Sequence, residues 1–430
     1  MSFSNPAYTI PRRNIHHHQA MWTKMWDPPT ESPSTPDELA PTNPVPAFME
    51  ATLGRDTFRV NTPNTIELNL QSGMTLPTWD GLKELSFMTF RDDGLQSPWN
   101  NGHWPGPTVR VPRGAIFHCL SHGQGTPPHT IHWHGLEPTP MNDGVGHCSM
   151  EIGDYTYQLQ PNFIGTYFYH CHRNTVQHFE FGLYGMFLVE PPDAFDGPNA
   201  GGYPRRTAAS LKRFPKFPGF NSNPVNSLDP QAMTVPYDVE ALWVFDDRDS
   251  RWSDLASHPR AFYPAHQNQP GVDDQFYHGF FHDFNPDYFF VTGQAIPAPM
   301  GGTADIPANL VIPPELNSGV SGMQVSVNAQ TNQTILVRAL NAAYANATVT
   351  FPVDVTIIAF DGRALGVPPF SRTNSAFRLR AGRPFELSTA RRFDALIRSS
   401  TPVNDFATVE YSGTLNKSSM VTGRIPINIS

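Results

Sequence analysis

The stretch GTYFYHCHRNTVQHFEFGLYGMFLVE, residues 165–190, decides the fold of this chain. Its two ends, GTYFYHCH and LYGMFLVEP, are aromatic and aliphatic runs of strand length, with glycines where the chain must turn. Between them stand His170, Cys171, His172 and His178. A thiol held between two imidazoles costs a packed strand a good deal unless something satisfies the polar groups. The usual partner of clustered His and Cys is a metal ion.

A second cluster, PHTIHWHG, carries His129, His132 and His134, and seven of the 17 histidines fall between positions 129 and 178. Side chains alternate between the faces of a strand, so His132 and His134 share one face and His170 and His172 share another. Cys171 points the opposite way from its two neighbours. In a continuous strand His129 falls on the Cys171 side. The histidines and the cysteine thus divide into an inward set, His129, Cys171 and His178, and an outward set, His132, His134, His170 and His172. Two histidines and a cysteine with a weak or absent axial ligand are the donor set of a type 1 (blue) copper site. Four outward imidazoles on adjacent strands are half of what a cluster of several coppers needs.

The whole chain agrees with an all-β protein. Its 430 residues suffice for two or three domains. With 44 Pro, 32 Gly and 12% aromatic residues, many short strands are expected rather than long helices. A net charge of -9 argues against a nucleic-acid partner. No apolar run approaches the roughly 18–20 residues that span a bilayer as a helix. The start, MSFSNPAYTIPRR, carries no apolar signal core. Cys119, Cys148 and Cys171 are an odd set; a Cys119–Cys148 disulfide is one open pairing.

Residues 1–55, rich in Pro, Thr and Ser, read as an extended N-terminal arm. Residues 56–192 read as a first β domain, 193–236 as a Pro- and Gly-rich linker, and 237–430 as a second β domain. The two halves share a loose order: a paired strand, a DG turn, a Gly-linked strand and a last hairpin. That order is a weak internal repeat.

Several motifs carry a family resemblance. NGHWPGPTVRV, IHWHGLEP, NDGVGHCSMEIGDYTYQL and GTYFYHCHRNTVQHFEFGLYGMFLVEP resemble the first cupredoxin domain of the laccase-like multicopper oxidases. DYFFVTGQ, VRALNAA, VTIIAFDG and RFDALI are similar to that family's middle domain. The resemblance implies tandem cupredoxin-like Greek-key sandwich or barrel domains, with copper as cofactor. It implies type 1 ligands at His129, Cys171 and His178, with Leu183 or Met186 at the axial position. A type 2/3 half-site falls on His132, His134, His170 and His172. An electron donor is expected at an exposed His178 edge.

The chain departs from a three-domain laccase in two ways. Its type 1 ligands lie in the first domain, as in two-domain multicopper oxidases and copper nitrite reductases, and Cys171 to His178 is a longer step than the common motif. No histidine follows His282, so the second domain has no pair to complete a cluster. Three functions therefore stand at this level: an oxidase completed by another subunit, a nitrite-reductase-like enzyme using His134 and His170, and a blue-copper electron carrier or structural subunit. The partners would be a small-molecule or metal-ion electron donor or a redox protein, with homo-oligomer or hetero-assembly both open. The resemblance also implies a place outside the cytoplasm.

The remaining polar groups have plainer expectations. His147 and the run His16, His17 and His18 read as exposed. Asp143 reads as a turn residue, and Trp133 and Phe168 as packing around the copper strands. RDDG and DDRDSRW read as solvated loops.

Overall fold

Leu85, Phe87, Val109, Val111, Tyr155, Tyr157, Tyr167 and Tyr169 all sit at 4% exposure or less, each separated from its neighbour by one position, which is the pattern of strands in a sandwich. A computed structural model of the chain describes residues 64–92, 103–113, 117–122, 129–145, 154–161, 163–173, 175–190, 216–218, 234–256, 284–365 and 376–430. The arm expected at 1–55, most of the expected linker, His147 and Cys148 lie outside the described residues.

The first half is built from β1 (Asn64–Pro77), β2 (Glu84–Asp92), β3 (Gly106–Pro112), β4 (Phe117–His122), β5 (His132–His134), β6 (Asp154–Leu159), β7 (Gly165–His170) and β8 (Tyr184–Glu190). They form two four-stranded sheets, ordered β2-β1-β4-β6 and β3-β8-β7-β5. TVRVPRGAIFHCL forms two strands, β3 and β4, that belong to different sheets. Pro112, the last residue of β3, is paired with Glu190, and the Arg113 N–H after it donates to the Glu190 carbonyl at 2.8 Å. The run HTIHWHG is strand only over its last part, β5, with His129 in the segment leading into it. A six-residue helix, α1 (Thr175–Glu180), fills the turn between β7 and β8.

The second half has a nine-stranded sheet and a six-stranded sheet. Its strand Val239–Arg248 pairs antiparallel with Tyr288–Val291 and parallel with Ile335–Asn341, which pairs antiparallel with Arg392–Ile397. In the first half β1 pairs antiparallel with β2 and parallel with β4, which pairs antiparallel with β6. One ladder is built twice. The sandwich architecture is all-β and cupredoxin-like, as the sequence implied.

Two cores matter for the site. Phe117, Trp133, Tyr157, Tyr169, Cys171, Leu183 and Phe187 fill the interior of the first sandwich. A larger core joins the halves: Phe168, Phe179, Tyr184, Met186 and Leu188 pack with Trp243, Phe290 and Val325. Along β8, side chains alternate between these two cores. A buried ionic network crosses the same boundary. Arg110 pairs with Glu190 and Glu240, both at 2.7 Å, and Glu240 also accepts from Arg338 at 2.6 Å.

DDRDSRW is not a solvated loop. Asp246, Asp247, Arg248 and Asp249 are at most 5% exposed and end the strand Val239–Arg248, with helix α2 (Ser250–Ala256) following. The charges are tolerated because they have partners: Asp247 accepts the N–H groups of Tyr344 and Ala345, and Asp246 accepts from Tyr184. Likewise Arg91 and Asp92 of RDDG belong to β2. Charge runs predict solvation only where no partner folds onto them.

Candidate metal centre

β5 and β7 pair antiparallel, with His132 opposite His170, Trp133 opposite Tyr169 and His134 opposite Phe168. This register puts Trp133 and Tyr169 in the sandwich interior and His132, His134 and His170 on the other face. The strand β7 ends at His170, and the next residue, Cys171, turns into the interior at 0% exposure.

Three donors converge there. The Cys171 Sγ lies 3.2 Å from His178 Nδ1 and 3.7 Å from His129 Nδ1, and the two imidazole rings are 4.5 Å apart. α1 carries His178 back over Cys171, which is how the longer Cys171-to-His178 step is accommodated. His178 Nε2 is buried with no hydrogen-bond partner. Burial, with His129 adding to it, lowers the pKa of His178 to about 3, and burial lowers that of His129 to about 4. Both imidazoles are therefore neutral at pH 7, the form that offers a lone pair to a metal.

The axial candidates separate by strand parity. Leu183 lies in the Cys171 core and its carbonyl accepts the Cys171 N–H at 3.0 Å. Met186 lies in the core between the halves, paired with Phe168 across the β7–β8 ladder, on the far side of the sheet from Cys171.

On the outward face, donor atoms of His132, His134 and His170 lie within 4.8 Å of one another. His172 packs at their rim, its ring 5.1 Å from that of His132. His132 Nδ1 donates to the Asp143 carbonyl at 2.6 Å, and His170 Nδ1 donates to the Cys171 carbonyl at 2.8 Å. Each bond fixes a tautomer with the lone pair on Nε2, as around metal-ligating histidines; the Nε2 of His170 lies 3.2 Å from His134 Nδ1. The face is not open to water throughout: His170 is 4% exposed, and His134 stacks on Phe168 at 4.3 Å. Burial, aided by the Arg392 guanidinium, lowers the pKa of His134 to about 3.

One expected feature is corrected. His178 does not present an exposed edge: it is 0% exposed under α1, while His129 is half-buried. Trp133 and Phe168 pack around the site as expected, at 0% and 1% exposure. Asp143 is more than a turn residue, since its carboxylate also comes within 3.3 Å of His132. Arg392 escaped the sequence analysis altogether. Nothing local in RRFDALI marks it, because its place beside His134 is made by the packing of one half on the other. His16, His17, His18, His258, His266, His278 and His282 lie outside the described residues.

The donor sets suit copper. A thiolate with two neutral imidazoles in an apolar interior is a soft, three-donor site, and the outward set is all imidazole. Comparisons with known proteins agree. Residues 87–194 match the family model of the multicopper oxidases. The chain is 37% identical over 105 residues to L-ascorbate oxidase of Cucumis sativus, covering 23% of this chain and 18% of that protein. It is 36% identical over 107 residues to a laccase of Aspergillus fumigatus, covering 23% and 17%. The matched segments thus span under a fifth of these relatives. Among solved structures, the blue copper oxidase of Nitrosomonas europaea aligns with a TM-score of 0.51 at 17% identity, covering 85% of each chain, a likeness of fold. The likeness to the multicopper oxidases in sequence thus rests on the domain at residues 87–194.

Proposed function

We propose that this chain is a copper oxidoreductase that would transfer single electrons through a type 1 copper held by His129, Cys171 and His178, with Leu183 packed in the same core. A second copper half-site lies at His132, His134, His170 and His172. Copper held at the first site would supply a one-electron couple.

The chain's own residues do the rest. Cys171 supplies the thiolate, and Trp133, Tyr157 and Phe187 keep water from it. His129 and His178 offer Nδ1 toward the sulfur. His170 and His172 flank Cys171 in sequence, so one peptide unit joins the inward and outward donor sets. The hydrogen bond from His170 to the Cys171 carbonyl adds a shorter link between them. Asp143 holds His132 in one orientation and places its carboxylate beside it.

The observation that carries the proposal is the convergence of two separate donor sets on either side of His170-Cys171-His172. The relatives, an ascorbate oxidase and a laccase, favour an oxidase over a nitrite-reductase-like enzyme or a plain carrier. The electron source would be a small molecule or metal ion. Oxygen reduction at the outward face would need imidazoles from outside residues 283–430, which contain no histidine. Placement outside the cytoplasm rests on the family resemblance; no helix among the described residues is long and apolar enough to cross a membrane.

The test is copper per chain by elemental analysis together with the optical spectrum. One copper and an intense blue band support the type 1 site alone. Three or more coppers with an added near-ultraviolet shoulder support a completed cluster. No copper and no band after reconstitution would sink the proposal.

A further inference from the structure

β8 turns the Met186 thioether away from Cys171, and on that side of the sheet it lines a cleft of about 180 Å³ at the junction of the two halves. The floor of the cleft is apolar. Trp104 and Met186 of the first half meet Leu242, Leu316 and Val325 of the second, all 4% exposed or less. Val311, 55% exposed, also lines the cleft, which opens to solvent there. Gly293, at φ +77°, shapes one wall: a Cβ on it would meet the Trp104 carbonyl at 2.5 Å, so the halves lie backbone against backbone. The polar groups are few and uncharged. No aspartate, glutamate, lysine or arginine stands among the described lining residues. His103 donates its Nδ1–H to the Pro105 carbonyl at 2.9 Å, and burial lowers its pKa, so its ring is neutral at pH 7. Gln294 donates one Nε2–H to the Ala295 carbonyl at 3.2 Å, which leaves its Oε1 and second N–H without a partner among the described residues.

We propose that this cleft binds a small, uncharged aromatic molecule of a single ring that carries a neutral hydrogen-bonding group such as a carboxamide. Volume, charge and lining each narrow the class. An apolar cavity of about 150 Å³ takes benzene, so this one accepts a single ring with a short substituent at the mouth. A charged ligand would give up hydration against walls that offer no counter-ion. The Met186 thioether and the Trp104 indole make part of the floor, and sulfur–aromatic and ring–ring contacts favour an aromatic ring over an aliphatic one of the same size. A carboxamide matches Gln294, with a donor for its Oε1 and an acceptor for its N–H. A ring held there touches both halves and stabilises their junction. The floor also backs onto the outward histidines, since Met186 neighbours Phe168 across the β7–β8 ladder and His134 stacks on Phe168 at 4.3 Å. The site needs no metal and stands whether or not the histidine sets hold copper.

The test titrates benzamide into the whole metal-free chain, labelled with NMR-active carbon at its methionine methyl groups. The Met186 signal, assigned by its loss in Met186→Leu, should move and saturate. The signal of Met300, 54% exposed and outside the cleft, should stay where it is. Benzoate keeps the ring and adds a charge; cyclohexanecarboxamide keeps the amide and loses the aromatic ring. Each should bind about ten-fold more weakly than benzamide. Val325→Phe places a ring of the protein's own in the cleft and should weaken benzamide binding by about ten-fold as well. The proposal is overturned if the Met186 signal shows no saturable movement up to millimolar benzamide, or if Met300 moves with it. It is equally overturned if benzoate or cyclohexanecarboxamide binds as tightly, or if folded Val325→Phe keeps the parent affinity. Should Val325→Phe not fold, the comparison of the three ligands on the parent chain decides alone.

Discussion

Cys171 is the residue on which the inward site turns. Cys171→Ser keeps the size of the side chain but removes the soft, covalent sulfur donor. We expect it to abolish the blue band while leaving the far-ultraviolet circular dichroism unchanged; a retained band would place the type 1 site elsewhere. Acid should also be felt at single residues. His129 has its pKa lowered by burial from 6.5 to about 4, so between those values the unfolded chain binds the extra proton and the folded chain does not. Its contribution is present above 6.5 and lost as the pH falls towards 4. Asp247 acts in the opposite sense: burial, with Asp246 beside it, raises its pKa to about 7, so stability is lost as the pH rises towards that value. Urea unfolding of the metal-free protein should therefore show a weaker acid loss in His129→Gln than in the parent. An unchanged slope would mean that His129 is not buried as neutral imidazole.

At the scale of elements, the outward histidines depend on the turn that follows the short 3₁₀ segment Pro140–Asn142. Gly144 there has φ +73°, and a Cβ on it would overlap the Ile131 carbonyl just before β5. Gly144 thus allows Asp143 to lie close enough to hold His132. Gly144→Ala should cost about 2–3 kcal/mol of stability. It should also weaken copper binding at the outward face more than at the inward one, as read by copper titration against the blue band. Equal loss at both sites would mean that the turn supports the fold and not His132 in particular. β5 is held from its other end by the second half: Arg363 donates to the Gly135 carbonyl at 3.2 Å and to the Tyr167 hydroxyl at 3.0 Å.

At the scale of the whole molecule, the two halves are joined by a shared core and by the Arg110, Glu190, Glu240 and Arg338 network, all 3% exposed or less. Removing one charge from such a network leaves others buried without compensation. Glu240 is paired with both arginines, so Glu240→Gln should lower stability by about 3 kcal/mol. The half-exposed pair Lys417–Glu386 is the control, and Glu386→Gln there should cost less than about 1 kcal/mol. Comparable losses in denaturant melts of the two variants would contradict the buried network's role in holding the halves together.

The sequence by itself determined the all-β class and carried the repeat and the division of the histidines and Cys171 into two sets as expectations. The shared face of His132, His134 and His170 follows from side-chain alternation along β5 and β7, a local property, whereas His129 and His178 lie off those strands. It also carried two axial candidates, Leu183 at the position the resemblance implies and Met186 as the nearby thioether alternative. Tertiary structure separated them, since β8 sends Met186 into the core between the halves and leaves Leu183 beside Cys171. It likewise buried DDRDSRW, whose charges meet partners as distant in sequence as Tyr344, and set Arg392 near His134. The same packing buried His178, whose helix α1 is held at Val176 by the Tyr344 hydroxyl of the second half. Contacts between residues so far apart in the chain leave no local trace in the sequence.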